Sequence, residues 1–386
     1  MRAFTLIVCM VGVASVLLIR AERVSPTAPL PLVGSLGGPD RALSGEEANL
    51  WLAGRLLFDR DTHSTSGLGG GASGDFNGDS CRACHQDPVV GGASDKDLNV
   101  SRFARDEGGV GPFTNLPGGQ IVSRHRRPDT LGREEIPVQA DLFEQRNAPS
   151  LLGLGLLDRV LEPDILALQD PTDANSDGVF GVARMLNIAG TMELGRFGWK
   201  AQVPTIRDFA DDAMGAELGV TVPSNARGFG DLTDGDGVPD PEISNNELDA
   251  LVFFMEHLAP PARGGSTNPL VAVGESLFQS IGCATCHVPS LPSPSGPVRA
   301  YTNLLLHNVQ DLNFRGMEEP GAPNGFYRTP PLWGISETAP YWHDGRAEDL
   351  NQAILLHSGE GLTSRLAYQA LGSADRSALL LFLGDL

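Results

Sequence analysis

Hydrophobic residues recur at helical spacing in only a few segments of the chain, and the stretches between them are irregular. Residues 44–47, "SGEE", have the form of a capping box, so a helix is predicted to start at Ser44 and to run through "ANLWLAGRLLF". Helical periodicity returns later, and the helix capped by "SNNE" places four apolar side chains on one face: Leu248, Leu251, Val252 and Met255. Strand-like alternation is scarce, which predicts a mainly α protein with long irregular loops.

The irregular segments also indicate the domain organisation. Residues 61–141 are rich in glycine and turn residues, which suggests loops wrapped around something other than a large apolar core. The stretch "APPARGGSTNP" (259–269) has the composition of a linker, and a similar plan of helix, Cys-x-x-Cys-His, loops and closing helices stands on either side of it. We therefore predict two domains, at residues 44–260 and 261–386.

The N-terminal residues have a different character. Residues 1–21 contain an apolar run closed by Arg20, and residues 22–43 form a linker rich in proline and glycine. An apolar run of this length is typical of an export signal and short for a membrane span, and an uncleaved anchor is the alternative. Both interpretations predict an exported, periplasmic protein.

The charge of the chain limits its partners. The formal net charge is -20 and the isoelectric point is near 4.7, which argues against binding to nucleic acid or to an anionic membrane surface. Such a surface is suited to a small basic partner, for example an electron-carrying cytochrome.

Four of the five cysteines lie in two copies of Cys-x-x-Cys-His, at residues 81–85 and 283–287. In this motif the two thiols add to the vinyl groups of one haem, and the histidine is the proximal ligand of the iron. The alternatives are a dithiol redox pair or a zinc site, but neither needs a histidine directly after the second cysteine in both copies. The sequence therefore predicts two covalent haems, held by Cys81, Cys84 and His85 and by Cys283, Cys286 and His287.

With these motifs in place, the chain resembles the superfamily of di-haem cytochrome c peroxidases and MauG, and within it the branch of di-haem "thiol oxidoreductase"-like proteins. The resemblance covers nearly all of residues 45–386. It implies two cytochrome c-like haem domains, the first peroxidatic and the second for electron transfer. It rests on these segments: "FNGDSCRACH", "RNAPSLLGLGLL", "LGRFGWKA", "GESLFQSIGCATCH", "YTNLLLH", "RTPPLWG" and "TAPYWHDGRAEDLNQAILLHSGEG".

The resemblance also implies the second ligand of the second haem. In the family this ligand lies fourteen residues after the histidine of the "PYxHDG" motif, which leads from His343 to His357. Leu350, Ala353, Ile354 and His357 share one face of a predicted helix that would cover a porphyrin. His307 is the second candidate, and His343 is interpreted as a structural turn residue or a hydrogen-bond partner near the haem.

The first haem is predicted to have an open coordination position. Some peroxidases carry a distal histidine sixteen residues after the proximal one, but Ser101 stands there in this chain. His125 is an alternative ligand, although its arginine neighbours favour a solvated or propionate-binding strip. His63 and His257 are interpreted as structural.

Cleavage of the O–O bond of peroxide needs a distal group that moves a proton to the leaving oxygen. In the superfamily this glutamate follows a "WDGR" segment that the first half of this chain lacks, so its position cannot be transferred. Glu144, Asp158 and Glu162 are the nearby candidates. Relatives also place a tryptophan between the haems, and Trp199 in "GRFGWKA" is the candidate for that role.

Relatives hold a calcium ion between the two haems, bound through an asparagine after the first haem motif and through the "TAPY" segment. The corresponding residues are Asn147, Thr338 and Pro340, and carbonyl oxygens of this kind suit calcium. Two acidic turns, "DANSDG" (173–178) and "DGDGVPD" (234–240), are further calcium candidates, although acidic turns are commoner than bound ions.

These features predict a di-haem oxidoreductase that reduces hydrogen peroxide at the first haem and receives electrons through the second from a small cytochrome or another redox protein. The alternatives are a MauG-like enzyme that oxidises side chains of a partner protein, and a non-catalytic electron carrier with both irons six-coordinate.

Overall fold

The computed structural model describes residues 29–62, 75–105, 121–122, 125–126, 136–234 and 236–386. The predicted export signal and His63 lie outside these residues, as does the side chain of His125. Within the described ranges, no helix is long and apolar enough to cross a bilayer. The helices that the structure describes are α1 (Gly45–Asp59), α2 (Leu154–Asp158), α3 (Glu162–Leu166), α4 (Ile206–Leu218), α5 (Asn245–Glu256), α6 (Pro269–Ser280), α7 (Leu350–Leu355), α8 (Leu362–Ala370) and α9 (Ser373–Leu383).

The β-structure is made of short strands in small antiparallel sheets. Strand β2 is central in the order β3-β2-β5, and the pairs β1-β4, β6-β7 and β8-β9 stand apart. No described strand exceeds five residues, which is too short for a clear alternation in sequence. The strands are β1 (Asp75–Phe76), β2 (Val100–Ala104), β3 (Ile121–Val122), β4 (His125–Arg126), β5 (Leu142–Arg146), β6 (Met185–Ile188), β7 (Thr191–Leu194), β8 (Leu306–Asn308) and β9 (Phe326–Arg328). The described chain is thus helix-rich with small sheets.

The predicted helix starts are confirmed where the capping signal is strong. The Ser44 hydroxyl accepts from the Glu47 N–H while the Glu47 carboxylate accepts from the Ser44 N–H, and Ser244 and Glu247 do the same at α5. The segment after Asn147 forms two short helices instead of one long one. Pro163, which lacks an N–H and favours the first turn of a helix, stands at the start of the second.

A close helix pair supports the first Cys-x-x-Cys-His segment. Helices α1 and α5 approach so closely that a Cβ at Gly54 would lie 1.9 Å from the Ala250 carbonyl oxygen. Phe58 packs edge-on against Phe254 at 5.3 Å and faces the ring of His85 at 6.3 Å. The main hydrophobic core is built around this pair.

The second half repeats the arrangement with α6 and α9. A Cβ at Gly274 would lie 2.1 Å from the Ala378 carbonyl oxygen, so this helix pair also depends on a glycine. Phe278 packs edge-on against Phe382 at 5.4 Å and lies 6.4 Å from the ring of His287. The repeat that the sequence suggests is therefore present in the packing of the described residues.

Candidate functional site

Both Cys-x-x-Cys-His segments form the same tight turn. Cys81–Ala83 and Cys283–Thr285 are single 3-10 turns, and the N–H of the following histidine donates to the carbonyl of the first cysteine at 3.0 Å in each copy. The four cysteines form no disulfide. One turn thus presents two thiols and an imidazole together, as attachment to a porphyrin edge requires.

The orientation of three histidines leaves the same ring nitrogen available. Nδ1 of His85 lies 3.2 Å from the Gly92 carbonyl oxygen, and Nδ1 of His287 lies 3.0 Å from that of Tyr301. Nδ1 of His357 lies 2.9 Å from the Ala353 carbonyl oxygen. A carbonyl can only accept, so Nδ1 carries the proton and the Nε2 lone pair is free to bind a metal. Burial lowers the pKa of His85 to about 4 and that of His287 to about 3, which keeps the ligating, neutral form.

Both motifs line one continuous cavity of about 700 Å³. Its volume lies in the range of about 300 to 1,000 Å³ that is common for cofactor and ligand sites. Helix α7 was predicted to include His357, but it ends at Leu355, and His357 lies in the turn that follows. His357 nevertheless lines the cavity together with Leu350, Ala353 and Ile354.

Two buried arginines of the cavity wall carry N–H groups that bind no described carboxylate, although Glu144 and Glu319 pair with the rest of the Arg146 guanidinium. Arg328 is buried, donates only to the carbonyl oxygens of Gly198 and Thr329, and has its pKa lowered to about 10 by burial alone. Nη1 of Arg146 is buried and has no hydrogen-bond partner among the described residues. Buried guanidinium groups favour anions, and the propionates of a haem supply that charge. The residues that line the cavity therefore fit haem.

Trp199 and Asn147 lie next to each other in the wall of this cavity. The indole N–H of Trp199 donates to the Asn147 carbonyl oxygen at 2.8 Å. The backbone N–H of Asn147 donates to the His343 carbonyl oxygen at 2.6 Å. The rings of Trp199 and His343 are edge-on at 6.4 Å. This partly buried tryptophan thus links the segment after the first motif with the segment before His357.

The predicted calcium ligands are brought to the same cavity. Asn147, Thr338 and Pro340 all line it. The amide nitrogen of Asn147 donates to the Ser94 carbonyl at 3.0 Å and to Asn99 Oδ1 at 3.0 Å, which orients the side chain and leaves its own oxygen for another partner. The calcium assignment stays a prediction that this arrangement permits.

None of the three predicted distal acids lines the cavity. Glu144 is buried and bound to Arg146 Nε at 2.7 Å, Asp158 is near the start of α4, and Glu162 is partly exposed in the first turn of α3. Their assignment as catalytic groups stays untested.

Sequence reasoning missed the four carboxylates that line the cavity among the described residues: Asp212, Glu217, Glu319 and Glu360. The last three are bonded to Asn77, Arg146 and His307, which leaves Asp212 as the candidate acid. It is largely buried on α4 and lines the cavity with Phe209 and Ala213, and burial raises its pKa. Helix α4 was not predicted, although it carries two local signals. The Thr205 hydroxyl accepts from the Asp208 N–H at its start, and Gly219 adopts a left-handed conformation at its end.

The remaining described histidines have close polar partners. His307 is buried, with Nδ1 2.7 Å from Glu360 Oε2 and Nε2 2.9 Å from the amide nitrogen of Asn303. His257 bonds Asp40 at 2.9 Å and fastens the end of the predicted linker to α5. These contacts agree with structural roles.

The two acidic turns lie apart from the haem motifs in sequence and differ in geometry. Carboxylate oxygens of Asp234, Asp240 and Glu242 lie within 4.8 Å of one another. In the other turn the Asp173 carboxylate accepts from the Gly178 N–H at 3.1 Å and the Asn175 side-chain oxygen from the Asp177 N–H at 2.9 Å.

The family model "Di-haem oxidoreductase, putative peroxidase" matches residues 136–386, which is more than half of the chain. The chain belongs to the di-haem oxidoreductase family. It is therefore an oxidoreductase, and haem is its cofactor. Comparison with curated proteins gives no match.

Several solved structures are similar to this chain. A MauG-like protein associated with microbial copper homeostasis is 16% identical with a TM-score of 0.44, covering 93% of this chain and 95% of that chain. The diheme peroxidase BthA from Burkholderia thailandensis E264 is 17% identical with a TM-score of 0.46, covering 95% and 89%. Hydrazine synthase from Kuenenia stuttgartiensis is 16% identical with a TM-score of 0.43, covering 95% and 100%.

Proposed function

We propose that this di-haem oxidoreductase reduces hydrogen peroxide at a haem held by Cys81, Cys84 and His85. Electrons enter through a second haem held by Cys283, Cys286, His287 and His357. The observation that carries the proposal is the single cavity that joins both motifs while its walls differ. His357 lines this cavity together with the second motif. Helix α4 adds Phe209, Asp212 and Ala213 to the cavity wall.

The chain supplies the residues for covalent attachment. The four thiols are reduced, and burial raises the pKa of Cys81 to about 12 and that of Cys283 to about 11, so they stay protonated and inert until they react with the vinyl groups. When bound, the first haem supplies an iron that can take peroxide as a ligand, and the second stores and transfers electrons. Arg146 and Arg328 bind the propionates.

Asp212 is proposed as the acid–base group. As a carboxylate it would accept a proton from hydrogen peroxide, and as the acid it would return that proton to the oxygen that leaves as water. Burial favours the protonated form, which places its ionisation closer to neutral pH than that of an exposed carboxyl group. The apolar side chains of Phe209 and Ala213 beside it restrict water.

Transfer between the haems is proposed to pass through the Trp199–Asn147 contact. Calcium bound by Asn147, Thr338 and Pro340 would fix the two halves relative to each other. The electron donor is a small basic redox protein, since the net charge of -20 favours such a partner. The protein and its electron donor would meet in the periplasm, the compartment that the predicted export signal and the predicted covalent haem favour.

Electron paramagnetic resonance of the ferric protein tests the proposal. One high-spin haem beside one low-spin, bis-histidine haem is expected, and mixing with hydrogen peroxide should change the spectrum of the high-spin centre and then oxidise a reduced small cytochrome. Two six-coordinate, low-spin irons that do not react with peroxide would make the protein an electron carrier, with Met214 on α4 as the next ligand to examine.

A further inference from the structure

Tyr327 combines three features that the proposed reaction does not yet use. It lies on strand β9, is 5% exposed and lines the cavity shared by the two motifs. Its hydroxyl donates to Glu144 Oε2 at 3.0 Å. A buried phenol bonded to a buried carboxylate can lose its proton without any access to solvent.

Glu144 is held in position to accept that proton. Its Oε1 accepts from Arg146 Nε at 2.7 Å and its Oε2 from the Met317 N–H at 2.6 Å. The carboxylate is 6% exposed, so the proton would stay inside the protein. A role as proton acceptor for Tyr327 would thus explain why Glu144 is buried although it does not line the cavity.

The ring of Tyr327 belongs to a chain of aromatic contacts. It stacks on His343 with centroids 4.0 Å apart and planes at 16°, and His343 in turn meets Trp199 at 6.4 Å. Phe314 packs edge-on against Tyr327 at 6.2 Å. Arg346 lies over the rings of Phe314 and Trp342, 5.4 Å from each centre, and Trp342 is edge-on to His357 at 5.2 Å. These side chains connect the Trp199 contact with the ligand side of the second haem.

We propose that Tyr327 is a redox-active tyrosine that holds one oxidising equivalent during turnover, with Glu144 as its proton acceptor. The proposal rests on the proposed function, because the oxidised haem pair produced by peroxide is the oxidant. One electron leaves the ring for that pair, the phenolic O–H bond breaks, and the proton moves to Glu144 Oε2. A neutral tyrosyl radical remains until an electron from the redox donor reduces it, and the proton then returns from Glu144.

The neighbouring charges explain why Tyr327 would pass the oxidising equivalent on and would not retain it. Lys200 Nζ lies 4.4 Å from the centre of the Tyr327 ring, and Arg146 donates to Glu144, the carboxylate that also accepts from Tyr327. Positive charge close to the ring raises the energy of its oxidised form. Transfer of the proton to Glu144 keeps that proton in the cluster, so the radical forms only while a strong oxidant is present.

The other tyrosines lack this combination. The structure describes all four tyrosines of the chain. Tyr341 lines the cavity but donates to the Ile335 carbonyl, and Tyr368 donates to the Asn351 amide oxygen. Tyr301 donates to Glu275 at 3.2 Å but does not line the cavity. Tyr341→Phe is therefore a matched control, since it removes a cavity-lining phenol that has no carboxylate partner.

Freeze-quenched electron paramagnetic resonance of the peroxide-treated holoprotein, produced with ring-deuterated tyrosine, tests the assignment. We expect a tyrosyl signal that Tyr327→Phe abolishes, that Glu144→Gln weakens, and that Tyr341→Phe leaves unchanged. Phenylalanine keeps the stacking on His343, and the unchanged optical spectrum of the ferric variant would verify its folding. A signal that persists in Tyr327→Phe, or one unaffected by tyrosine deuteration, would overturn the proposal.

A second arm separates this inference from the proposed peroxidase activity. Flash photolysis with a ruthenium photo-oxidant generates an oxidising equivalent without peroxide, and it should give the same Tyr327-dependent radical. If peroxide fails to react but this arm yields the radical, the proposed function fails and the redox role of Tyr327 stands. If wild type and Tyr327→Phe behave alike under both oxidants, Tyr327 is a structural residue.

Discussion

The two halves that carry the Cys-x-x-Cys-His motifs are alike behind the proximal histidine. They differ in the elements that face them across the cavity. In each half a glycine lets two helices touch, and a phenylalanine from that pair lies behind the histidine, at 6.3 Å from His85 and 6.4 Å from His287. Each histidine then donates Nδ1–H to a backbone carbonyl. This repeated scaffold fixes the imidazole and the two thiols.

The difference lies in the elements that face these scaffolds. The turn after α7 brings His357 to the cavity, with its own Nδ1 held by the Ala353 carbonyl oxygen at 2.9 Å. Helix α4 brings Phe209, Asp212 and Ala213. A buried imidazole saturates an iron, whereas a buried carboxylic acid leaves a position for a small ligand and moves its protons.

The comparison shows how one duplicated scaffold can serve two purposes. In the proposed function, the proximal side would give covalent attachment and a constant ligand, and one element contributed from elsewhere in the chain would set the reactivity of each haem. Changes to the shared scaffold should therefore affect each haem equally, and changes to the facing elements should affect only one.

Removal of the thiols should have the largest effect. Cys81→Ala with Cys84→Ala should leave one covalent haem per chain, and Cys283→Ala with Cys286→Ala should leave the other, because each pair holds its haem through two thioethers. Mass spectrometry and haem staining of the denatured protein measure the number. If acid–acetone removes all haem from the unaltered protein, the attachment is not covalent.

Replacement of His357 should change one iron without changing the other. His357→Gly should convert the low-spin second haem to high spin and leave the spectrum of the first as it was, since the Nε2 lone pair of His357 is the proposed ligand. Electron paramagnetic resonance gives the spin state of each centre. An unchanged spectrum would move the ligand elsewhere, and His307 would be examined next.

Asp212→Asn should slow the reaction of the first haem with peroxide by about 100-fold, the usual scale for a positioned proton donor. Stopped-flow spectroscopy measures the rate, and Glu162→Gln, which changes a carboxylate that does not line the cavity, is the control. The association of cyanide gives a readout that does not depend on turnover. Its pH profile should show an ionisation above the usual carboxyl range in wild type, because burial raises the pKa of Asp212, and that ionisation should vanish in Asp212→Asn.

If Asp212→Asn reacts normally with peroxide, the predicted acids Glu144, Asp158 and Glu162 become candidates again, although none of them lines the cavity. An altered ferric spectrum together with slow peroxide binding would indicate a change in iron coordination instead.

The calcium prediction concerns the contact between the halves. Chelation of calcium, or Asn147→Ala, should slow electron transfer from the second haem to the first, because Asn147 joins Trp199 and His343 through its backbone and holds Ser94 and Asn99 through its side chain. Reduction of the second haem followed by rapid optical recording measures the transfer. An equal rate in a sample shown to be free of calcium would remove the ion from the mechanism.

The sequence predicted the features that depend on local chemistry. Both haem motifs, the capping boxes at Ser44 and Ser244, and the repeat of the two halves follow from residues close to one another in the chain. The register from His343 to His357 also led to a residue that lines the cavity, although the helix ends two residues earlier.

Helix α4 escaped prediction because its buried face is not hydrophobic throughout. Asp208 is fully buried and paired with Arg227, and Asp211 is buried beside Arg207, so charged residues occupy positions where a periodic pattern expects apolar ones. Arg227 comes from the segment after α4, whereas Arg207 lies one turn earlier on the same helix. The position of Asp212 in the cavity depends on that packing and could not be derived from spacing alone.

Asp158 allows the smallest and most specific test, because it distinguishes a buried structural carboxylate from a catalytic one. Burial raises its pKa from 3.8 to about 6, so the folded protein binds more protons than the unfolded chain between these values and loses stability as pH rises through them. Asp158→Asn removes this cost and should raise the free energy of unfolding by about 1 to 2 kcal/mol at about pH 7, after allowance for partial exposure. The gain should disappear below about pH 4, where both states of the wild-type carboxyl are protonated. Denaturant unfolding at the two pH values measures the difference, and the peroxide rate should be unchanged. A slower peroxide reaction would restore Asp158 to the list of catalytic candidates and weaken the assignment of that role to α4, whereas a loss of stability at neutral pH would contradict the raised pKa.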